Sequence, residues 1–158
     1  MAPPNFRHIA VAIDGSEHAR AALEVAIDLA KRYGSQLVIL SVAPLQPILV
    51  APGEGFIPAG IPPSDLPRYR GIVEAAVKQA ETEGLSAVTG LCTDGVVVDE
   101  LLAHLEEHPA DLLVVGSRGL SAGRRLLLGS VSTAMVTHAP CPVLVVRSGA
   151  AGTTKPAA

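Results

Sequence analysis

Cysteine occurs only twice in this chain, at Cys92 and Cys141. Two thiols so placed form neither a zinc-ligand spacing nor a disulfide framework, so buried, reduced thiols are expected. Charge is also sparse: 17% of residues are charged and the formal net charge is −3. That balance argues against a binder of nucleic-acid backbones, although it leaves room for a small basic patch. No apolar run approaches the ~18 residues that span a bilayer. At the N-terminus, Arg7 and His8 precede an apolar run that Asp14 soon ends, which is not the pattern of a signal peptide. The expectation is a soluble, cytoplasmic protein with no membrane or nucleic-acid partner. With 49% hydrophobic residues in a chain of 158, one domain can bury its own core.

What the sequence does contain is an alternation of short apolar runs with helical patterns. Ile9 to Ile13 reads as a central parallel strand, broken by Asp14-Gly15-Ser16, where Ser16 suits a helix N-cap. Ala22, Leu23, Ala26, Leu29, Ala30 and Tyr33 then mark one helical face, which Gly34 ends. Gln36 to Val42 is a second strand. Tyr69, Ile72, Val73, Ala76, Val77 and Ala80 mark a second helix, closed by Gly84. Ser86 to Cys92 is a third strand, less apolar and so nearer a sheet edge. Val98, Leu101, Leu102 and Leu105 mark a third helix, stopped before Pro109. Leu112 to Val115 and Pro142 to Val146 are the fourth and fifth strands, with a helical segment, Val131 to His138, between them.

Strict alternation of this kind predicts a parallel sheet with right-handed crossovers and helices on both faces. Ligands of such sheets sit beyond the carboxyl ends of the strands, where the strand order reverses. With the order 3-2-1-4-5, Asp14, Val42 and Gly116 all reach one crevice of nucleotide size. Two stretches break the pattern. Pro44 to Pro67 holds seven of the 13 prolines and reads as a long loop, either a lid or a loosely packed surface insert. Gly149 to Ala158 reads as a flexible tail, which leaves residues 1–148 as the nucleotide-binding domain. No internal repeat is present.

The chemistry concentrates in Val115-Gly116-Ser117-Arg118-Gly119, followed nine residues later by Gly129-Ser130. Glycines at a strand exit and a helix start let backbone N–H groups approach a ligand, and the helix N-terminus favours phosphate. The pattern is neither the dinucleotide-binding G-x-G-x-x-G nor the P-loop, and no Gly-Lys-Ser/Thr occurs. Ser130 suits helix capping as well as contact with a phosphate oxygen or Mg²⁺. Val131 and Ser132 add N–H donors in the first turn. Arg118 lies between the glycines and could neutralise phosphate, whereas Arg124 and Arg125 fit an exposed basic turn.

Catalytic constellations are missing. His8, His18, His104 and His108 lie at element margins without ligand spacing, and His138 suits the negative end of the last helix. Ser16 in Asp14-Gly15-Ser16 does not sit in a G-x-S-x-G nucleophile elbow, and no H-x-G-H signature of adenylyl transfer occurs. Nothing nominates a strong general base, so any ATP hydrolysis is expected to be slow.

Three segments carry a family resemblance: Val11-Ala12-Ile13-Asp14-Gly15-Ser16, the Gly116-x2-Gly119-x9-Gly129-Ser130 motif, and His138-Ala139-Pro140-Cys141-Pro142-Val143-Leu144-Val145-Val146. Together they resemble the universal stress proteins of the ATP-binding type, over about Arg7 to Arg147. The resemblance implies a Rossmann-like (flavodoxin-like, HUP-type) α/β domain with the strand order above. It implies that Asp14 contacts the adenosine part of ATP, and that the backbone of Val42 holds the adenine edge. Val115 and Gly116 would contact ribose and phosphate, and Gly119 and Gly129 would shape the phosphate cradle, with Mg²⁺ alongside. It also implies a stress-response regulator that works as a homodimer. The apolar strand Val143 to Val146, at a sheet edge, offers unpaired backbone groups for an antiparallel partner copy. A dimeric adaptor with a vestigial pocket, or a binder of AMP or cyclic AMP, remains open on the residues alone.

Overall fold

The computed structural model describes residues 5–45, 65–118 and 128–148. In chain order its elements are β1 (His8–Ala12), α1 (Glu17–Tyr33), β2 (Gln36–Pro44), α2 (Leu66–Thr82), β3 (Val88–Gly95), α3 (Val97–Glu107), β4 (Leu112–Gly116), α4 (Ser130–His138) and β5 (Val143–Val146). The five strands form one sheet in the order β3-β2-β1-β4-β5, all parallel. Both the elements and the strand order agree with the reading of the sequence.

The continuous apolar runs have a simple cause. Successive strand side chains point to opposite faces, and both faces are covered. Ile9, Val11, Leu37, Ile39, Leu112 and Val114 pack into one core with Ala22, Leu23 and Ile27 of α1 and Ala76 and Ala80 of α2. Their neighbours Ala10, Leu40, Val42, Leu113 and Val115 pack into a second core with Leu101 and Leu105 of α3 and Met135 of α4. Each fully buried Ile or Leu contributes about 1.5–3 kcal/mol relative to exposure, so the three central strands anchor the whole domain. From Val88 to Thr93, β3 alternates between half-buried and exposed residues, as an edge strand should.

Helix boundaries follow local chemistry. The Ser16 hydroxyl caps α1 by accepting from the Ala19 amide at 3.2 Å. Gly34, in the left-handed conformation, ends the same helix, and its N–H reaches the Ala30 carbonyl.

Several boundaries differ from expectation. The proline-rich stretch is shorter than Pro44 to Pro67, because Pro44 still pairs with Gly95 at the sheet edge. Pro67 lies in the first turn of α2, where a missing N–H costs nothing. Residues 46–64, the body of the expected loop, and the tail after residue 148 lie outside the described residues. Strand β3 runs Val88–Gly95 rather than Ser86 to Cys92, because the matching length of β2 carries the pairing onward. Strand β5 begins at Val143, since Pro142 has no N–H and contributes only its carbonyl, bonded by the Leu113 amide at 2.9 Å.

The cysteines also need correction. Cys92 and Cys141 are free but only half buried, because they sit near the sheet's edges rather than in its centre. Burial still pushes both thiols above their ordinary pKa, which favours the unreactive protonated form.

Candidate functional site

The reversal in strand order falls between β1 and β4, and a cleft opens beyond their carboxyl ends. It holds a cavity of about 310 Å³, walled on the polar side by Asp14, Arg118 and the Gly129-to-Ser132 turn. Leu40, Val42, Val97, Leu101 and Val115 form its apolar wall. Of the ten residues expected at the site, nine line this cavity: Asp14, Val42, Val115, Gly116, Arg118, Gly129, Ser130, Val131 and Ser132. Gly119, with Arg124 and Arg125, lies outside the described residues.

Asp14 is held from two directions. The Ile13 amide still bonds the Leu40 carbonyl at 2.9 Å, and the Ser41 hydroxyl donates to the Ile13 carbonyl at 2.6 Å. Gly15, at φ +83°, then turns the chain as a bulkier residue could not without strain. That turn lets the Asp14 carboxylate accept from the Ser16 amide at 2.9 Å. A carboxylate so fixed at a strand end can accept from an amino group or a hydroxyl of a ligand.

The other end of the cleft is built from backbone. Helix α4 begins at Ser130, with Gly129 in the cap position and no side-chain cap. The Thr133 amide, bonded to the Gly129 carbonyl at 3.0 Å, is the first to find a carbonyl one turn back. The amides of Ser130, Val131 and Ser132 precede it and point out of the helix start, the arrangement that suits an anion. Ser130 is therefore not the cap expected from the sequence; it is the first helical residue, exposed at the cavity. The Gly129 amide is taken by the Ser117 carbonyl at 2.6 Å. Gly129 thus lines the cavity without offering it a backbone donor.

Gly116 has a reason of its own. A Cβ there would lie 2.7 Å from the carbonyl carbon of His18 and 2.9 Å from its oxygen. Backbone cannot move aside as a flexible side chain can, so the glycine lets the end of β4 seat against the first turn of α1.

Sequence reasoning missed several residues. Ser117 is 1% exposed and makes contacts to β5, α4 and His18. The Ser132 side chain is likewise buried, donating to the carbonyls of Ser117 at 3.1 Å and Gly129 at 3.0 Å. Tyr69, read only as part of a helical face, lines the cavity. Burial raises its phenol pKa; Arg68, stacked 5.7 Å from the ring centre, opposes the rise and the Asp14 carboxylate adds to it. The partners of Ser117 are distant in sequence, and no local pattern could have shown them. Among the described residues no cluster of three or more His, Cys, Asp or Glu could hold a metal. His104 and His108 stack on each other, ring centres 4.7 Å apart, and burial first, then His108, lowers the His104 pKa. His138 closes α4, where a cation suits the helix dipole.

A model of the universal stress protein family matches residues 5–147. This chain belongs to the universal stress protein family. It is 34% identical over 150 residues to the universal stress protein YxiE of Bacillus subtilis, covering 90% of this chain and 99% of that one. It is 35% identical over 145 residues to a universal stress protein of Thermus aquaticus, again covering 90% and 99%. Among solved structures it resembles a universal stress protein in complex with cAMP, at 27% identity and a TM-score of 0.66. That match covers 90% of this chain and 98% of the other. No described helix is long and apolar enough to cross a membrane.

The close seat of Gly116 carries a stability test. Gly116→Ala should destabilise the protein by about 1–3 kcal/mol, because strand and helix must part to admit the methyl group. Denaturant unfolding reads this as a lowered midpoint; an unchanged midpoint would show that the contact is slack.

Proposed function

We propose that this universal stress protein binds ATP, with Mg²⁺, as a regulatory ligand in the stress response. The observation that carries the reading is the single cleft in which Asp14 and the N-terminus of α4 face a common cavity. The apolar wall of Leu40, Val42, Val97 and Leu101 offers a dry seat for a purine. Asp14 would contact the adenosine part, with the Val42 backbone at the adenine edge. The amides of Ser130, Val131 and Ser132 are suited to phosphate oxygens, with Arg118 supplying a cation at the same wall. A chain of net charge −3 would then hold a polyphosphate with directed backbone dipoles rather than with a basic surface.

The residues also fit Mg²⁺ bound through the nucleotide. A magnesium ion keeps several waters and takes one or two protein oxygens plus phosphates, and the Ser130 hydroxyl and Asp14 carboxylate are the described candidates. The ion would neutralise phosphate charge. Because a relative is found with cAMP, the discriminating comparison is among ATP, AMP and cyclic AMP. Calorimetry on wild-type protein should show Mg·ATP binding more tightly than either monophosphate. Gly129 has φ −72° and ψ 168°, a conformation open to any residue, so Gly129→Val should fold. It should lose at least ~30-fold in ATP affinity, about 2 kcal/mol. Full affinity in that variant would sink the cradle.

The second part of the proposal is a homodimer through β5. The strand pairs with β4 on one side and ends the sheet on the other. Its Leu144 is 37% exposed, and a four-residue apolar edge is readily paired by its own copy about a two-fold axis. Sedimentation should report a dimer for wild type and a shift towards monomer for Leu144→Lys. A wild-type monomer at micromolar concentration would refute the assembly.

A further inference from the structure

His18, in the first turn of α1, reaches two residues far away in sequence. Its Nδ1 lies 2.9 Å from the Ser117 Oγ and 3.0 Å from the Ser148 amide nitrogen. Its Nε2 lies 3.2 Å from the Ser148 Oγ. Because a backbone amide can only donate, Nδ1 is an acceptor and carries no proton. The ring proton is then on Nε2, which donates to the Ser148 hydroxyl, while the Ser117 hydroxyl donates to Nδ1 and shares it with the amide. This assignment also removes a tempting alternative. With its proton held on Nε2, His18 does not accept from the Ser148 hydroxyl, so the two do not form a nucleophile and base.

Ser117 occupies the position between Gly116 and Arg118, both of which line the cavity. Its backbone is already committed. The Ser117 amide donates to the Val146 carbonyl at 2.7 Å, and its carbonyl accepts from the Gly129 amide and the Ser132 hydroxyl. The side chain is 1% exposed, and His18 is the partner its hydroxyl finds. Ser148 lies two residues past the end of β5, so one imidazole clamps the exit of β4 to the exit of the edge strand.

We propose that His18 is a positioning residue for the nucleotide cradle, holding the Gly116-Ser117-Arg118 turn in register with α4 and tying it to the end of β5. The role rests on the nucleotide reading above. It acts on the phosphate end of the cleft, since Ser117 is joined to Gly129 and not to the apolar wall. It also gives the cradle a direct connection to the strand whose edge the dimer would use.

The test compares ATP and adenosine binding by calorimetry in wild type, His18→Phe, His18→Asn and Ser117→Ala. Phenylalanine keeps a ring of similar size without any acceptor, and ATP affinity should fall about tenfold, the effect of losing aim on one charge-assisted hydrogen bond. Adenosine affinity should change less than about twofold, because the apolar wall is untouched. Asparagine places a carbonyl oxygen near the Nδ1 position, so His18→Asn should recover to within about threefold of wild type. Ser117→Ala removes only the hydroxyl and leaves the backbone bonds, and it should show the same selective loss of ATP. Equal losses of ATP and adenosine, or no rescue by asparagine, would overturn the positioning role and leave His18 a packing residue. Unchanged ATP affinity in His18→Phe and Ser117→Ala would overturn it as well. A wild-type protein that binds neither compound would instead overturn the nucleotide reading, and this role with it.

Discussion

The hydrogen bonds around Ser117 join β4, β5 and the start of α4 at the polar end of the cleft. The amide fixes β4 to β5 through the Val146 carbonyl, and the carbonyl fixes β4 to α4 through the Gly129 amide at 2.6 Å and the Ser132 hydroxyl. Without these bonds the start of α4 would have no defined place relative to the sheet, and its outward-pointing amides would face nothing in particular. All of the groups concerned are buried or nearly so, where an unmade hydrogen bond costs about 1–3 kcal/mol. Among the described residues no buried side-chain nitrogen or oxygen is left without a partner. Order at this junction is therefore strongly enforced, although it comes from a few short contacts rather than from a large apolar surface.

The two ends of the cleft rest on different physics. One end is a byproduct of the double core: Leu40, Val42 and Val115 belong to the face covered by α3 and α4, and their side chains become cavity wall where the helices diverge. The other end is polar but largely uncharged, made of helix-start amides with Arg118 beside them. Such a site is preorganised, since backbone dipoles fixed in secondary structure need little reordering when an anion arrives. Gly116 admits the first turn of α1, and Gly129 lines the cavity with its amide already bonded to the Ser117 carbonyl.

The sequence made most of this fold legible because its signals were periodic and local. Apolar runs such as Leu112 to Val115 could only be strands buried on both faces, and the Ser16 cap and Gly34 stop bounded α1 correctly. The glycine spacing pointed to the same crevice that the strand order indicates, since Gly116 and Gly129 both line it. What stayed hidden was long-range and polar. Ser117 and Ser148 look like unremarkable serines in the sequence, and His18 looks like a helix-margin histidine; their contacts span 99 and 130 residues. The capping role expected of Ser130 failed for a local reason: the helix begins one residue earlier than the apolar pattern, so the cap falls on Gly129. The bounds of β3 and the burial of the cysteines were misjudged, because they depend on which neighbour supplies pairing and cover rather than on composition.

The central claim is that a nucleotide sits with its phosphates on the start of α4 and its base against the apolar wall. An NMR titration of isotopically labelled protein with Mg·ATP tests this most directly. The account requires the largest amide shifts at Ser130, Val131 and Ser132, with a second group at Asp14 and Val42, and little change along β3. Shifts confined to other surfaces, or none at millimolar ATP, would contradict it.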